Sequence, residues 1–240
     1  MSLSINNKIS ALRSKAAFGN STYFNPASLP APVRAVAPQT RHRLTEAKVR
    51  SPICLTFDDG PDPMYTPKIL KVLADYNVKA TFFVVGQAAE QFPHLIEQIC
   101  SAGHSIGNHT YSHRHPWLMS VESAKQEVIQ ANIAFKNILG RTPRWFRPPF
   151  GRLRRAMQMQ VHADNMATVL WSRSMIDWGL LGTKAAISAR LDKIVPGDIV
   201  LMHDGRPEHN RPDIICQCLP QFLAGLADKS LVAHGLDEVL

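Results

Sequence analysis

From residue 51 onward, short apolar runs alternate with stretches whose hydrophobic residues recur three and four apart. The runs are Ile53–Phe57, Ala80–Val85, Ser105–Asn108, Trp145–Phe146, Thr168–Ser172, Asp198–Met202 and Leu231–Ala233. The stretches between them read as helices: one starting at Thr66-Pro67, then 93–102, 120–139, 153–165, 183–194 and 212–228. Strands and helices in strict alternation predict parallel strands joined by right-handed crossovers. Thr81-Phe82-Phe83-Val84-Val85 is apolar at successive positions, as a strand covered on both faces must be. Thr66 is expected to cap its helix with Pro67 at the first helical position, and Gly103 and Gly140 end theirs. One α/β domain over residues 50–240 follows.

Residues 1–49 break this rhythm. They hold Pro26, Pro30, Pro32 and Pro38 without sustained periodicity, and read as a flexible basic extension. The charge of +8 bears on this. Six of the 27 Lys and Arg residues precede Glu46, the first acid, so the rest nearly balance the 19 acids. Basicity that sits in the extension rather than near a site argues against nucleic acid as the partner. No secretory core or run of ~20 apolar residues is present, so no membrane span is expected and a cytoplasmic location is. The acid-free, Ser/Arg-rich start also fits an organelle transit peptide, the less favoured alternative. Cys54, Cys100, Cys216 and Cys218 do not make a disulfide framework. Nothing indicates an oligomer, and a monomer is the default.

Chemistry gathers where the runs end. Ile53–Phe57 stops in Asp58-Asp59-Gly60-Pro61, which places two carboxylates at the carboxyl end of a strand. Adjacent acids resist joint ionisation. A metal on one of them would relieve that and leave the other as a base. Alone, Asp-Asp-Gly is as well explained by an Asx turn. The third run leads into His109-Thr110-Tyr111-Ser112-His113, whose two imidazoles would stand one helical turn apart, ~5–6 Å between Cβ atoms. Two histidines and an aspartate leave a coordination position open, as catalytic zinc requires; cobalt, manganese and iron also accept these ligands. Asp58, beside a ligating Asp59, is the natural base. His203, after the sixth run, is the natural acid, with a reference pKa of ~6.5. Arg147 would hold Asp58 ionised, a backbone N–H at Phe150-Gly151 would bind an oxyanion, and Trp178 would wall a sugar ring or lie buried.

These stretches, in order, resemble the five motifs of the polysaccharide deacetylase family (the NodB-homology domain, carbohydrate esterase family 4). They are Thr56-Phe57-Asp58-Asp59-Gly60, His109 to His113, Arg147-Pro148-Pro149-Phe150-Gly151, Asp177-Trp178 and Leu201-Met202-His203. The resemblance implies a distorted (β/α) barrel with about seven parallel strands in a single domain. It implies a divalent metal, usually zinc, on Asp59, His109 and His113, and removal of N-acetyl groups from a glycan containing N-acetylglucosamine. Asp58 would deprotonate the metal-activated water, the Phe150 N–H would help hold the oxyanion, and His203 would protonate the departing amine. Pro149, Phe150, Trp178 and Leu201 would line the substrate site. The short chain, in which no secretory signal is seen, is similar to chitooligosaccharide deacetylases.

The resemblance fails at one position. The family's fourth motif is expected to begin with an Asp, four residues before the Trp, that partners the catalytic His; here that residue is Ser174. The expected consequence is a lowered His203 pKa, with either reduced activity or compensation by Asp177 or Asp204. Two further readings follow: a related amide hydrolase acting on a non-polymeric acylated metabolite, and a non-catalytic glycan-binding homologue.

Overall fold

β1 (Pro52–Asp58) is buried along its whole length. Its side chains alternate between two faces. Ile53, Leu55 and Phe57 enter the main hydrophobic core with Phe82, Ile69 and Leu73, whereas Cys54 packs with Phe83, Val169 and Leu236. Thr56 and Asp58 share the Cys54 face, so β1 carries polar chemistry inward from the sheet while its other face anchors the helices. The computed structural model describes Arg41 and residues 52–240. The anticipated extension over 1–49 lies outside the described residues except for Arg41, whose backbone bridges to Val169.

The remaining strands are β2 (Thr81–Val84), β3 (Ser105–Asn108), β4 (Trp145–Phe146), β5 (Ala167–Thr168), β6 (Arg173–Ser174), β7 (Ile199–His203) and β8 (Val232–His234). They run in the order β5-β4-β3-β2-β1-β7-β6, with β8 beside the start of β1, and every pairing is parallel. The helices are α1 (Thr66–Asp75), α2 (Gly86–Gln91), α3 (Pro93–Ser101), α4 (Val121–Leu139), α5 (Arg155–Ala163), α6 (Lys184–Leu191), α7 (Pro212–Ala224) and α8 (Leu236–Val239). Seven strands in one path form a curled half-barrel, and the eighth is an addition to it. Among the described residues no helix is long and apolar enough to cross a membrane.

Three local expectations change. The run Thr168–Ser172 is not one strand. The chain leaves β5 with Val169 N bonded to the Phe146 carbonyl and reaches the opposite edge with Ser172 N bonded to the Ile199 carbonyl. Those few residues cross the gap between the two ends of the curled sheet. Thr66 does not cap α1: Tyr65 holds that position, and the Thr66 hydroxyl turns inward instead. The short helix α2 also went unread. α4 ends as expected at Gly140, which is left-handed, and its start is capped by Ser120 Oγ accepting from Ser123 N.

Register decides what meets. Asp58 lies opposite both Phe83 of β2 and His203 of β7, Val84 opposite Asn108, and Asn108 opposite Phe146. The residues that follow each strand therefore leave one edge of the sheet together, although they span 145 positions from Asp58 to His203.

Candidate active site

Arg147 follows β4 directly and is wholly buried, with 0 % of its surface exposed. A buried guanidinium needs acceptors for its donors. Nε donates to the Val169 carbonyl (3.0 Å) and Nη2 to the Leu170 carbonyl (3.1 Å), both in the segment that crosses the sheet gap. Nη1 donates to Thr56 Oγ1 and to Asp58 Oδ1, each at 2.7 Å. The guanidinium also lies over the Phe83 ring, 4.0 Å from its centroid. Burial lowers the Arg147 pKa, and Asp58 opposes that. Arg147 is thus no surface salt bridge: it stitches the sheet opening and fixes Asp58, leaving Oδ2 toward the site.

Asp59 diverges from Asp58 because its backbone is left-handed, φ 73°. Its Oδ1 lies 3.3 Å from His109 Nε2 and 2.9 Å from His113 Nε2. The histidine segment is not a helical turn. Thr110 and His113 both have positive φ, and a folded loop brings the rings to 5.0 Å between centroids. His109 Nδ1 sits 2.7 Å from the Arg147 carbonyl, an acceptor, so Nδ1 carries a proton, and in that neutral tautomer the Nε2 lone pair faces Asp59. Asp59 Oδ1 is buried without a hydrogen-bond donor. Two electron-rich atoms facing one another in a buried site suit a cation between them. The ligand atoms of Asp59, His109 and His113 all fall within 4.8 Å of one another, and this donor set fits zinc or a similar divalent ion. Burial would raise the Asp59 carboxyl, but the contacts with His109 and His113 and the charge of His203 hold it well below the usual range. Burial lowers His113, aided by His109 and by Arg206, whose Nη1 lies against His113 Nδ1.

His203 ends β7. Its Nδ1 lies 2.9 Å from Asp177 Oδ1, and its backbone N–H donates to Asp177 Oδ2 at 2.8 Å. Asp177 is fully buried. Burial pushes the imidazole down, yet Asp177, then Asp59 and Asp58, outweigh it and raise the pKa to about 9. The expected lowering of His203 is therefore wrong: the carboxylate missing at Ser174 stands at Asp177. Ser174 Oγ accepts from Ile176 N at 3.2 Å, within the turn that leads to Asp177. Asp204, the other suggested substitute, faces away. Its Oδ2 accepts from Thr66 Oγ1 at 2.5 Å, close under Gly60, where a Cβ would meet the carboxylate at 2.3 Å. Burial, with Asp59 and Asp58, raises Asp204 to about 7.

Aromatic rings flank the site on two sides. Phe150, 55 % exposed and with positive φ, lies 4.9 Å from the His113 ring and stacks on His115 at 5.1 Å. Trp178, 38 % exposed, meets the His203 ring edge-on at 5.5 Å, so it is not a core tryptophan. Pro149 and Leu201 are buried; Leu201 pairs in register with Thr56 and Ser174.

Sequence reasoning missed the residues that hold the loops of the Asp59–His109–His113 cluster. Glu127 of α4 accepts from Tyr111 N (3.1 Å), Ser112 N (2.8 Å) and Ser112 Oγ (2.5 Å), fixing the loop between the histidines. A charged residue on the inward face of α4, beside Ala124, Val128 and Ala131, was the available signal. Asn108 ties the same loop to α4, its Nδ2 donating to the Val128 carbonyl and its Oδ1 accepting from Thr110 N. Asn210 Nδ2 donates to Asp59 Oδ2 at 2.8 Å, and no sequence pattern marks it.

Comparison with known proteins accords with this geometry. The family model described as polysaccharide deacetylase matches residues 45–169, which include Asp58, Asp59, both loop histidines and Arg147. A peptidoglycan-N-acetylglucosamine deacetylase of Bacillus cereus is 34% identical over 175 residues, 72% of this chain and 64% of that protein. The chain therefore spans a little under two thirds of that relative. A chitooligosaccharide deacetylase of Sinorhizobium fredii is 36% identical over 194 residues, 78% of this chain and 90% of that protein. The crystal structure of the Bc1960 peptidoglycan N-acetylglucosamine deacetylase superposes with a TM-score of 0.76 at 29% identity, covering 84% of this chain and 92% of that one. By sequence match, fold and the residues gathered at the sheet edge, this chain belongs to the polysaccharide deacetylase family.

Proposed function

We propose that the protein is a metal-dependent N-deacetylase that removes acetyl groups from an N-acetylglucosamine-containing glycan or oligosaccharide. The observation that carries this reading is the meeting of a fixed carboxylate, Asp58, and a carboxylate-held imidazole, His203, paired across neighbouring strands beside the Asp59–His109–His113 cluster. A divalent cation held by those three residues, zinc by preference and cobalt, manganese or iron by ligand type, would activate water and polarise the acetamide carbonyl. Asp58 Oδ2 takes the proton of the attacking water, while Arg147 holds Oδ1 and keeps the carboxylate oriented. The Phe150 N–H is the candidate donor to the tetrahedral oxyanion. His203, protonated at neutral pH with Nδ1 on Asp177, donates from Nε2 to the leaving amine, and acetate departs. Phe150 and Trp178 offer apolar faces to a pyranose ring, with Pro149 and Leu201 beside the acetyl group. The names of the relatives support a glycan substrate. The same reading takes residues 50–240 as the deacetylase domain, 1–49 as an extension, and the protein as a cytoplasmic monomer.

The non-catalytic alternative rested on Ser174 alone, and the Asp177–His203 pair removes that ground. The test is acetate release from N-acetylglucosamine oligomers by chelator-stripped protein, with and without added zinc or cobalt. Release that requires metal and disappears in Asp58→Asn is expected. Stoichiometric metal binding without release would overturn the glycan reading and direct the search to acylated small molecules.

A further inference from the structure

The loop between β7 and α7 reaches back over the metal cluster, and one residue of it touches a proposed ligand. Asn210 is 6 % exposed. Its Nδ2 donates to Asp59 Oδ2 at 2.8 Å and to the Gly205 carbonyl at 3.0 Å. Both neighbours accept only, so the amide has one workable orientation, with nitrogen toward them. Asp59 Oδ2 is thereby occupied, and Oδ1 is left as the buried oxygen without a donor, aimed at the two imidazoles. The loop is held close at this point: a Cβ on Gly205 would stand 2.2 Å from the Asp59 carbonyl. The same stretch is anchored on the acid's side, because Asn210 bridges to Trp178 and Arg211 N donates to the Asp177 carbonyl at 2.7 Å.

We infer that Asn210 is a positioning residue for the metal site: it holds Asp59 so that a single oxygen, Oδ1, is presented to the cation. The inference rests on the metal reading above and concerns affinity rather than turnover. Free to rotate, the Asp59 carboxylate would offer both oxygens or swing away from the histidines. An outer hydrogen bond of this kind sets metal affinity by about 10- to 100-fold.

The experiment measures cobalt affinity by competition with a chromophoric chelator, using the full chain stripped of metal. Wild type is compared with Asn210→Ala and with Asn210→Leu, which keeps the size but has no N–H to donate. Both variants are expected to bind cobalt about 10- to 100-fold more weakly, with a changed visible spectrum of the bound ion, while the stripped proteins melt close to wild type. Should Asn210→Ala fail to fold, Asn210→Leu carries the comparison. Affinities within about twofold of wild type, or a loss confined to the melting temperature of the stripped form, would overturn the assignment. Wild-type protein that binds no cobalt would bring down the metal reading itself, a result distinct from either variant outcome.

Discussion

Asp177→Asn tests the acid half of the proposed mechanism. Asp177 is the largest upward influence on His203, raising it against burial to about 9 from an ordinary 6.5. At about 1.4 kcal/mol per pKa unit, the shift corresponds to about 3 kcal/mol favouring the imidazolium. Asp59 and Asp58 act less strongly and burial pushes down, so neutralising Asp177 should lower the pKa by about two units or more. At pH 8 the protonated fraction would fall from about nine tenths to about one tenth. The asparagine would also lose the charge that orients Nδ1–H, and a combined loss of about 100-fold or more in kcat is expected. The assay is the pH dependence of kcat/KM on an N-acetylglucosamine oligomer, whose basic limb reports the acid of the free enzyme. A cation on Asp59 would oppose the imidazolium in both proteins, so the displacement between the two limbs is the test rather than either position. Stability provides a second readout. A histidine raised in the folded state contributes stability that is whole below pH 6.5 and lost as pH rises through about 9. The wild type should therefore exceed the variant in melting temperature at pH 6 and lose that advantage above pH 9. Coincident basic limbs, with no such convergence, would refute the role given to Asp177.

Three further outcomes are expected. Ser174→Asp should leave the basic limb where it is, because Asp177 already occupies both His203 nitrogens that face it; a displaced limb in the pH–rate profile would contradict this. Arg147→Met should strand the buried Asp58 carboxylate and the Val169 and Leu170 carbonyls, costing about 3–5 kcal/mol in urea unfolding, with near-complete loss of turnover. Glu127→Ala frees three donors of the histidine loop and should weaken cobalt binding about 10-fold or more in the chelator competition, although those hydrogen bonds go to Tyr111 and Ser112.

Much of the fold was legible because the alternation of strand and helix is written in hydrophobic period. The ladder register, and with it the meeting of Asp58, His109, Arg147 and His203, follows from parallel strands that end together. What escaped was set by loops. The histidine pair looked like one turn of helix, since four-residue spacing suits a helix; Asn108 and Glu127 instead hold a loop with two left-handed residues. Thr168–Ser172 looked like one strand because its composition is apolar, but the sheet curls and those residues cross its opening. Arg147 was read for its charge on Asp58, while half of its bonds go to carbonyls of that crossing. Asn210 carries no periodic signal at all, because a loop amide reveals its partner only in three dimensions.

The Ser174 departure shows the same limit at the level of a motif. Matching by spacing expects the imidazole's partner four residues before Trp178. Distance along the chain is a poor guide past the end of β6, where the chain stops being a strand. There Ser174 Oγ receives the Ile176 N–H and Ile176 adopts a positive φ, 49°. The turn so formed brings Asp177 back over the end of β7, where one carboxylate meets both the His203 backbone N–H and its ring. A serine at 174 suits that turn, because a short hydroxyl accepts a backbone N–H two residues on. Ser174 and Asp177 therefore divide the work between them: one shapes the turn and the other holds the His203 imidazole. The placement of that imidazole depends on the pair rather than on a carboxylate at a fixed distance from the tryptophan.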